Sequence, residues 1–345
     1  MRKNLKTIIN PVAAFTLCAL SVLSVDAATC YTRKSGEWGG DLWTSKIGTA
    51  IEPGLRPGKG DTAYIYNTAT EIFLSGSAQV SAFKLLGDKT KLTLRDGAAL
   101  RVSNFQGKGP KGAGTVEMLG GTLRADAAKG AYFILAGHMA GRDDGTGIFI
   151  QRGGVVTIES PAGLQLTRNG GTGIYQLHGG ILNITAGGDS QGISAGAGTA
   201  RFEWQGGTLN TKYAAVSLGN EGGVLSPGGD DAVGSVVLRA KQPETYYQSG
   251  RGKMIVTLEN AKKYDELIWK EESGGSTVRF GDGSSIEIRL SKGYKPTKGA
   301  VFDVVFANKL VLDGKLRLEG PHGEHFRYEI TRGSQEKLRL IYEHE

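Results

Sequence analysis

A serine inside a glycine-rich motif is the first residue that could do chemistry. The fragment GDSQG (188–192) fits G-x-S-x-G, the pattern that places a nucleophile on a sharp turn between a strand and a helix, so Ser190 is the candidate. The pattern occurs again, overlapping, at GISAG (192–196). A strand-like ILNIT precedes Ser190, but a glycine-rich turn follows where the motif requires a helix. The sequence therefore argues against a hydrolase nucleophile here, and we assign no catalytic residue.

Two pairs of adjacent carboxylates lie in glycine-flanked loops. Asp143-Asp144 lies in GRDDGTG and Asp230-Asp231 in PGGDDAVG, and arginines flank the first pair. Three interpretations stay open: turn chemistry, for which aspartate is well suited; calcium binding, without a tandem G-G-x-G-x-D array; or acid–base chemistry on a polysaccharide. The last requires carboxylates from neighbouring coils to converge, for example Asp189 with Asp143 and Asp144.

The five histidines give no metal or cofactor motif. His138, His322, His325 and His344 occur without H-E-x-x-H or zinc-ligand spacing. His178 occupies a repeat position that elsewhere holds leucine, arginine or glutamine, which indicates the surface edge of a turn. No G-x-G-x-x-G follows a strand and opens a helix, so nucleotide binding is not supported. We predict no cofactor-binding and no metal-binding residues.

The N-terminus has the organisation of an export signal. Arg2, Lys3 and Lys6 precede an apolar run from Val12 to Val25, and small residues follow it. We expect cleavage after Ala27, and an exported protein at the outer surface of a bacterium or outside it. The later sequence contains no apolar run long enough for a transmembrane helix.

Removal of the export signal would change both the net charge and the number of cysteines. Without residues 1–27 the chain keeps 38 basic and 33 acidic residues, a net charge of +5. The basic residues form no clustered stripe, so we expect no nucleic-acid partner. Cys18 leaves with the signal, and Cys30 then has no partner for an intrachain disulfide. An exported chain of this size must therefore depend on an extended hydrogen-bonded core.

Glycine pairs mark an internal repeat. Four segments share one twelve-residue form, and the first glycine of each closing pair lies at 120, 153, 179 and 206. A fixed period of this length is typical of a solenoid. The four segments are GAGTVEMLGGTL (112–123), GTGIFIQRGGVV (145–156), GTGIYQLHGGIL (171–182) and GTARFEWQGGTL (198–209).

Aligned repeats place the same residue types in the same positions. Val116, Phe149, Tyr175 and Phe202 share one apolar position, and apolar and polar positions alternate, which predicts strands. Gln151 is the polar exception in the apolar position of Met118, Leu177 and Trp204. The glycine pair between two strands suits a sharp turn with positive φ that lies close to the turn of the next coil.

These patterns predict an all-β protein: a right-handed parallel β-solenoid, or β-helix, with six or seven coils. Its N-terminal cap would contain Trp38 and Trp43, because a solenoid must cover its terminal coil. The C-terminal region has longer alternating strands and is either antiparallel or a continuation with larger coils. The predicted divisions are a signal peptide (1–27), a cap (28–61), repeats (62–226) and a C-terminal β-strand region (227–345).

The repeat pattern G-T-G-x-(Y/F)-x-(L/W)-x-G-G-x-L resembles bacterial exported β-helix proteins that carry autotransporter-associated β-strand repeats. GGVLSPGGDDAVGSVVL (222–238) and LSKGYKPTKGAVFDVVFANK (290–309) resemble the later parts of those proteins. The resemblance implies a passenger-like role at the cell surface and defines no catalytic residues. We therefore expect a structural or adhesive protein whose candidate partner is an extracellular glycan or surface polymer. The alternative is a carbohydrate-active β-helix enzyme, a polysaccharide lyase or glycoside hydrolase.

Overall fold

The computed structural model describes residues 27–108, 112–128, 130–137, 143–185, 192–229, 233–239, 244–270 and 276–344. Within these ranges the chain is nearly all β-strand, and the only helical element is a 3-10 turn at Gly323–His325. Most strands pair in parallel with the strand one coil earlier and one coil later, which gives a solenoid-like stack with three faces. The predicted all-β architecture with parallel sheets is confirmed at this level.

Face 1 is an eleven-stranded parallel sheet in the described part of the chain. Its strands are Gly36–Glu37, Glu71–Leu74, Thr90–Leu94, Ala113–Met118, Asp143–Gln151, Asn169–Leu177, Ala197–Trp204, Leu218–Asn220, Glu244–Gln248, Thr277–Phe280 and Lys309–Leu312.

Faces 2 and 3 belong to one larger sheet, because Ser77–Leu85 and Ala99–Gln106 bend from face 2 into face 3. The other strands of face 2 are Thr122–Ala125, Val155–Ile158, Ile181–Ile184, Thr208–Thr211, Val224–Leu225, Lys253–Asn260, Ser285–Leu290 and Arg317–Glu319. The other strands of face 3 are Thr29–Thr32, Thr62–Ile65, Tyr132–Ala136, Leu164–Thr167, Ile193–Ser194, Tyr213–Ala214, Ser235–Leu238, Glu266–Trp269 and Val301–Ala307.

Residues that share a repeat position in the sequence are paired with one another in the register of the sheets. On face 1, Phe149 pairs with Val116 on one side and with Tyr175 on the other. On face 2, Val156 pairs with Leu123 and with Leu182. These apolar side chains point inward and are fully or almost fully buried. The alternation of apolar and polar residues therefore fixes which side chains face the core of the stack.

Both glycines of each pair are required, for two different reasons. The second glycine has positive φ, as at Gly180 (φ 76°), a conformation that strains residues with a Cβ. At Gly179 the limit is space, because a Cβ would lie 2.4 Å from the carbonyl oxygen of Arg152 in the preceding coil. The backbone conformation of the turn thus favours glycine at the second position, and the close approach of the preceding coil requires glycine at the first.

A column of aromatic rings runs through the core. Phe105 stacks on Phe133 with ring centroids 4.2 Å apart, and Phe149 stacks on Tyr175 at 4.9 Å. Tyr175 continues the column to Phe202 at 5.5 Å. Because stacked rings bury large apolar areas in a fixed geometry, this column ties successive coils to one another.

Tryptophans cover the N-terminal end of the column. Trp38 and Trp43 are buried with ring centroids 5.0 Å apart, and Trp38 contacts Phe83 of the core. The Trp43 indole donates a 2.9 Å hydrogen bond to the Trp38 carbonyl. A short strand, Trp43–Thr44, pairs antiparallel with Thr29–Thr32 of face 3.

The C-terminal region carries both kinds of pairing. Lys253–Asn260 pairs in parallel with Val224–Leu225 and with Ser285–Leu290, so parallel stacking continues past residue 226. Antiparallel pairing involves Lys263–Tyr264, Phe326–Thr331 and Glu336–Tyr342, the last of which lies against Val301–Ala307 of face 3. In the described ranges no helix is long and apolar enough to cross a membrane.

Candidate functional site

Several residues singled out from the sequence lie outside the described residues. They are Ser190, Asp189, Asp230, Asp231, His138, Arg142 and most of the predicted signal peptide. The structure therefore does not address the G-x-S-x-G motif at Ser190, or the convergence of Asp189 with Asp143 and Asp144.

The first aspartate pair lies at the start of a face 1 strand. Asp143–Gln151 begins at the pair, and the backbone of Asp143 is in register with Gly170 in the next coil. Asp144 is exposed to solvent. The register shifts between Asp143 and Thr146, so the pair occupies an irregular strand end at the corner between faces 3 and 1.

His178 is half-buried at the turn that follows a face 1 strand. Its backbone N–H donates to the Gln151 carbonyl, and its own carbonyl oxygen lies where a Cβ on Gly206 would clash. Its main-chain atoms thus take part in the stacking of coils. This position agrees with the turn edge expected from the aligned repeats.

Charged side chains on face 1 pair across neighbouring coils. Lys91 lies between Glu71 and Glu117, with Nζ–carboxylate distances of 3.3 and 2.8 Å, and Arg152 contacts Glu117 at 2.6 Å. Hydrogen bonds from Lys91 and Arg152 lower the pKa of Glu117. A carboxylate held ionised by two cations is a poor general acid at neutral pH, so we interpret this ladder as structural.

Arginines on face 2 are also paired. Arg101 donates from Nε to both carboxylate oxygens of Asp126 at 2.9 Å, and Arg124 reaches Glu159 at 2.9 Å. These arginines are exposed, where solvent screening makes an ion pair weak. Each of these arginines is neutralised by a carboxylate of the protein, so no ligand is needed to balance its charge.

Three histidines that are separated in sequence lie close together at the C-terminal end. The His325 ring is 4.2 Å from that of His344 and 6.0 Å from that of His322, measured between centroids. Within the described residues, however, no group of three or more histidine, cysteine, aspartate or glutamate side chains is arranged to hold a metal ion. The cluster packs with Tyr342 against the terminal antiparallel strands.

Tyrosines cluster on the outer side of face 3 in the first two coils. The rings of Tyr31 and Tyr64 stack at 5.0 Å with an interplanar angle of 10°, and Tyr66 meets Tyr31 edge-on at 6.0 Å. Lys84, in register with Tyr64 one coil later, places its Nζ 5.6 Å from the centre of the Tyr64 ring. The three rings are half-buried, so part of each is open to solvent. We call Tyr31, Tyr64 and Tyr66 the tyrosine cluster.

The tyrosine cluster adjoins an open cleft at the corner between faces 3 and 1. The cleft has a volume of about 540 Å³ and contains Tyr66 itself. Its polar groups come from Asn67, Thr68 and Asp88, and its other lining residues are Leu86, Gly87 and Gly112. We call this the corner cleft.

Hydrogen bonds hold the walls of the corner cleft in place. The Tyr66 amide donates to Thr32 Oγ1 at 3.1 Å, and the Asn67 side-chain amide donates to the Arg33 carbonyl at 2.8 Å. On the opposite side, Asp88 Oδ1 accepts the Ala113 amide at 2.8 Å, and this bond lowers the pKa of Asp88. The cleft therefore contains a carboxylate that is ionised at neutral pH, and Tyr66 of the tyrosine cluster is among its lining residues.

The backbone at this corner is unusual. Ala69 (φ 55°) and Lys89 (φ 54°) are the only non-glycine residues with positive φ in the described part of the chain. They occupy equivalent positions in successive coils, and the Ala69 amide donates to the Asp88 carbonyl. Later coils use glycine with positive φ at the same corner, for example Gly137. These two successive coils, the coils of Tyr64 and Lys84, thus keep side chains where the turn favours glycine.

The tyrosine cluster is not among the residues predicted from the sequence, although the sequence carries a signal for it. Thr29-Cys30-Tyr31 and Thr62-Ala63-Tyr64 share the form T-x-Y, and they pair residue by residue on face 3. The glycine pairs, on which the predicted repeat rests, mark faces 1 and 2. A tyrosine on face 3 lies outside that pattern.

No protein-family model and no curated protein sequence matches this chain.

Proposed function

We propose that this chain is an exported right-handed parallel β-helix that works as a structural or adhesive module, outside the cell or at its outer surface, without catalysis. A glycan or another surface polymer is the partner it would contact. The observation that carries this proposal is the register-matched stacking of coils along the chain, which produces a long surface of regularly spaced side chains.

Two further features support the proposal. The N-terminal segment has the charge and apolar pattern of an export signal. The charged side chains on faces 1 and 2 form ladders such as Lys91 with Glu117, in which each group neutralises its neighbours. Such ladders suit a durable scaffold exposed to solvent, since the charges keep the surface soluble while they satisfy one another.

The test is a pair of assays on residues 28–345. The purified chain is incubated with insoluble polysaccharides and with bacterial surface polymer preparations, and bound protein is measured after sedimentation. The same mixtures are assayed for new reducing ends and for unsaturated sugars. Binding without turnover is the expected result.

Other results have definite meanings. Turnover of any polysaccharide contradicts a non-catalytic role and favours the lyase or hydrolase alternative, whose first candidate residues are Asp143, Asp144 and Asp189. If the protein neither binds nor degrades any polymer, adhesion to polymers is wrong and the structural part of the proposal is what remains.

A further inference from the structure

We infer that the corner cleft, together with the tyrosine cluster, is a binding site for a neutral pyranose saccharide. This inference deepens the adhesive role proposed above and rests on it. It assigns that role to a particular corner of the stack, formed by the first coils.

The aromatic part of the site matches the apolar part of a sugar. A pyranose ring has a face of C–H groups, and an aromatic ring carries negative charge on its face, so the two attract each other. Tyrosine also supplies a hydroxyl at its edge and loses little side-chain entropy on binding. Tyr66 lines the corner cleft and contacts Tyr31, which stacks on Tyr64.

The polar part of the site matches the hydroxyl groups of a sugar. Asn67, Thr68 and Asp88 converge on one cleft from two successive coils. An amide, a hydroxyl and a carboxylate offer donors and acceptors of both kinds. A few convergent polar groups beside an apolar wall are what a small-ligand site requires.

The negative charge of Asp88 determines which class of sugar the corner cleft favours. Asp88 is ionised at neutral pH because the Ala113 amide stabilises its charged form. A carboxylate in the cleft disfavours an acidic sugar such as a uronate and favours a neutral one, whose hydroxyls can donate to it. The inference is therefore restricted to neutral saccharides.

The site is also preformed in the absence of a ligand. The bonds from Tyr66 to Thr32 and from Asn67 to Arg33 fix one wall before any ligand arrives. Gly87 is a buried lining residue whose Cβ, if present, would be 2.3 Å from the Tyr66 carbonyl oxygen, so the backbones of two coils lie close together in this wall. A preformed site avoids the cost of ordering loops on binding.

The experiment uses residues 28–345 and three neutral hexasaccharides, of β-1,4-linked glucose, β-1,4-linked mannose and α-1,4-linked glucose, in titration calorimetry. The variants are Tyr66→Ala and Tyr64→Ala. The matched control is Tyr247→Ala, which removes a half-buried tyrosine from face 1 in a distant coil. We expect at least one hexasaccharide to bind, Tyr66→Ala to weaken it about tenfold or more, and Tyr247→Ala to leave it unchanged.

A second measurement keeps the test valid if a variant folds poorly. The wild-type chain is nitrated with tetranitromethane with and without the hexasaccharide, and modified tyrosines are identified by mass spectrometry. We expect the sugar to protect Tyr64 and Tyr66 and not Tyr247. Equal nitration of all three with and without a bound sugar would overturn the inference.

The outcomes separate this inference from the proposed function. If a hexasaccharide binds and neither Tyr66→Ala nor Tyr64→Ala weakens it, the corner cleft is not the site, while an adhesive role stands. If the chain sediments with polysaccharides but binds no hexasaccharide, the cleft is again wrong and adhesion uses another surface. If it does neither, the cleft and the adhesive role both fail, and only the structural part of the proposed function remains.

Discussion

The Tyr175 hydroxyl donates a 2.6 Å hydrogen bond to Gln151 Oε1 in the interior of the stack. Both side chains are fully buried, and burial raises the pKa of Tyr175 well above its usual value, so the hydroxyl keeps its proton. Gln151 Nε2 in turn donates to the carbonyl of Ile181 at 3.0 Å. A polar residue in an apolar position is thus satisfied by a tyrosine one coil away, by the start of a face 2 strand in that coil, and by the Gly154 carbonyl of its own turn at 3.3 Å.

This pair predicts a coupling that a double-mutant cycle can measure. Gln151→Leu and Tyr175→Phe should each lower the free energy of unfolding by about 1–3 kcal/mol, because each leaves a buried polar partner unsatisfied. The double variant should lose less than the sum, by about 1–2 kcal/mol, since Met118 and Leu177 show that an apolar residue fits this position. Urea denaturation is the measurement, and strict additivity would contradict the coupling.

The glycine pair predicts a contrast between adjacent residues. Gly180→Val introduces a side chain at φ 76°, and Gly179→Val places a Cβ 2.4 Å from a carbonyl oxygen, so each should cost at least about 2 kcal/mol. His178→Ala removes only a half-buried side chain and should change stability by less than about 1 kcal/mol. Equal thermal midpoints for His178→Ala and Gly180→Val would refute this account of the turn.

The corner turn predicts a stabilising substitution. Ala69 has φ 55°, a conformation that costs a residue with a Cβ about 1–2 kcal/mol, whereas the extra flexibility of glycine in the unfolded chain costs about 0.4–1 kcal/mol. Ala69→Gly should therefore raise the free energy of unfolding by up to about 1.5 kcal/mol. Ala63→Gly, in a buried face 3 strand, is the control and should lower it. A loss of stability in Ala69→Gly would show that the positive φ of Ala69 does not strain the folded chain.

Asp265 predicts a pH dependence of stability. Its buried carboxylate accepts the amides of Gly234 and Thr257, yet burial raises its pKa to about 6. Because the folded chain holds this proton more tightly than the unfolded chain, whose aspartate pKa is about 3.9, Asp265 favours folding most below pH 4. That contribution, about 2–3 kcal/mol, is lost as the pH rises through 6.

Urea midpoints between pH 4 and 7.5 measure this effect by comparison of wild type with Asp265→Asn, which should show a smaller fall in stability. Glu287→Gln is the control. Burial raises the pKa of Glu287, but its contacts with Lys253 and Arg289 lower it overall, so its contribution has the opposite sign. Identical pH profiles for wild type and Asp265→Asn would be incompatible with a raised pKa at Asp265.

Cys30 should be unreactive in the folded chain. Its side chain is fully buried, and burial, with the charges of Asp61 and Glu52, raises the pKa of the thiol to about 11. Since the thiolate is the reactive form, a disulfide reagent at pH 8 should modify Cys30 only after denaturant is added. Rapid labelling of the native chain would mean that the first coil opens readily.

Faces 1 and 2 could be predicted from the sequence because the glycine pair separates them at a fixed spacing. Aligning that pair assigns Phe149 and Tyr175 to one position and Val156 and Leu182 to another, as the register has them. Face 3 could not be predicted in the same way. Its strands shorten to two residues at Ile193–Ser194 and Tyr213–Ala214, and the linking segments vary, so no motif is kept along the whole face.

The direction of strands at the C-terminal end could not be predicted from the sequence. Parallel and antiparallel strands share the same alternation of two residues, so KMIVTLEN and EKLRLIYEHE look alike. The structure makes the first parallel to its neighbours on face 2 and the second mainly antiparallel. The candidate site could not be predicted because the register between coils brings its residues together, whereas acids, histidines and nucleophiles can be recognised from sequence motifs alone.

The short strand Trp43–Thr44 and the strand Glu336–Tyr342 both run against the face 3 strand that they cover. Parallel stacking in register is also how identical chains assemble into fibrils. On this face, a second molecule would meet the reversed strand Trp43–Thr44 at the N-terminal end and the outer strand of a hairpin, Phe326–Thr331, at the C-terminal end, and neither is a coil of the stack that could serve as a matching template. The protein can therefore repeat one coil many times within itself while this face resists polymerisation between molecules.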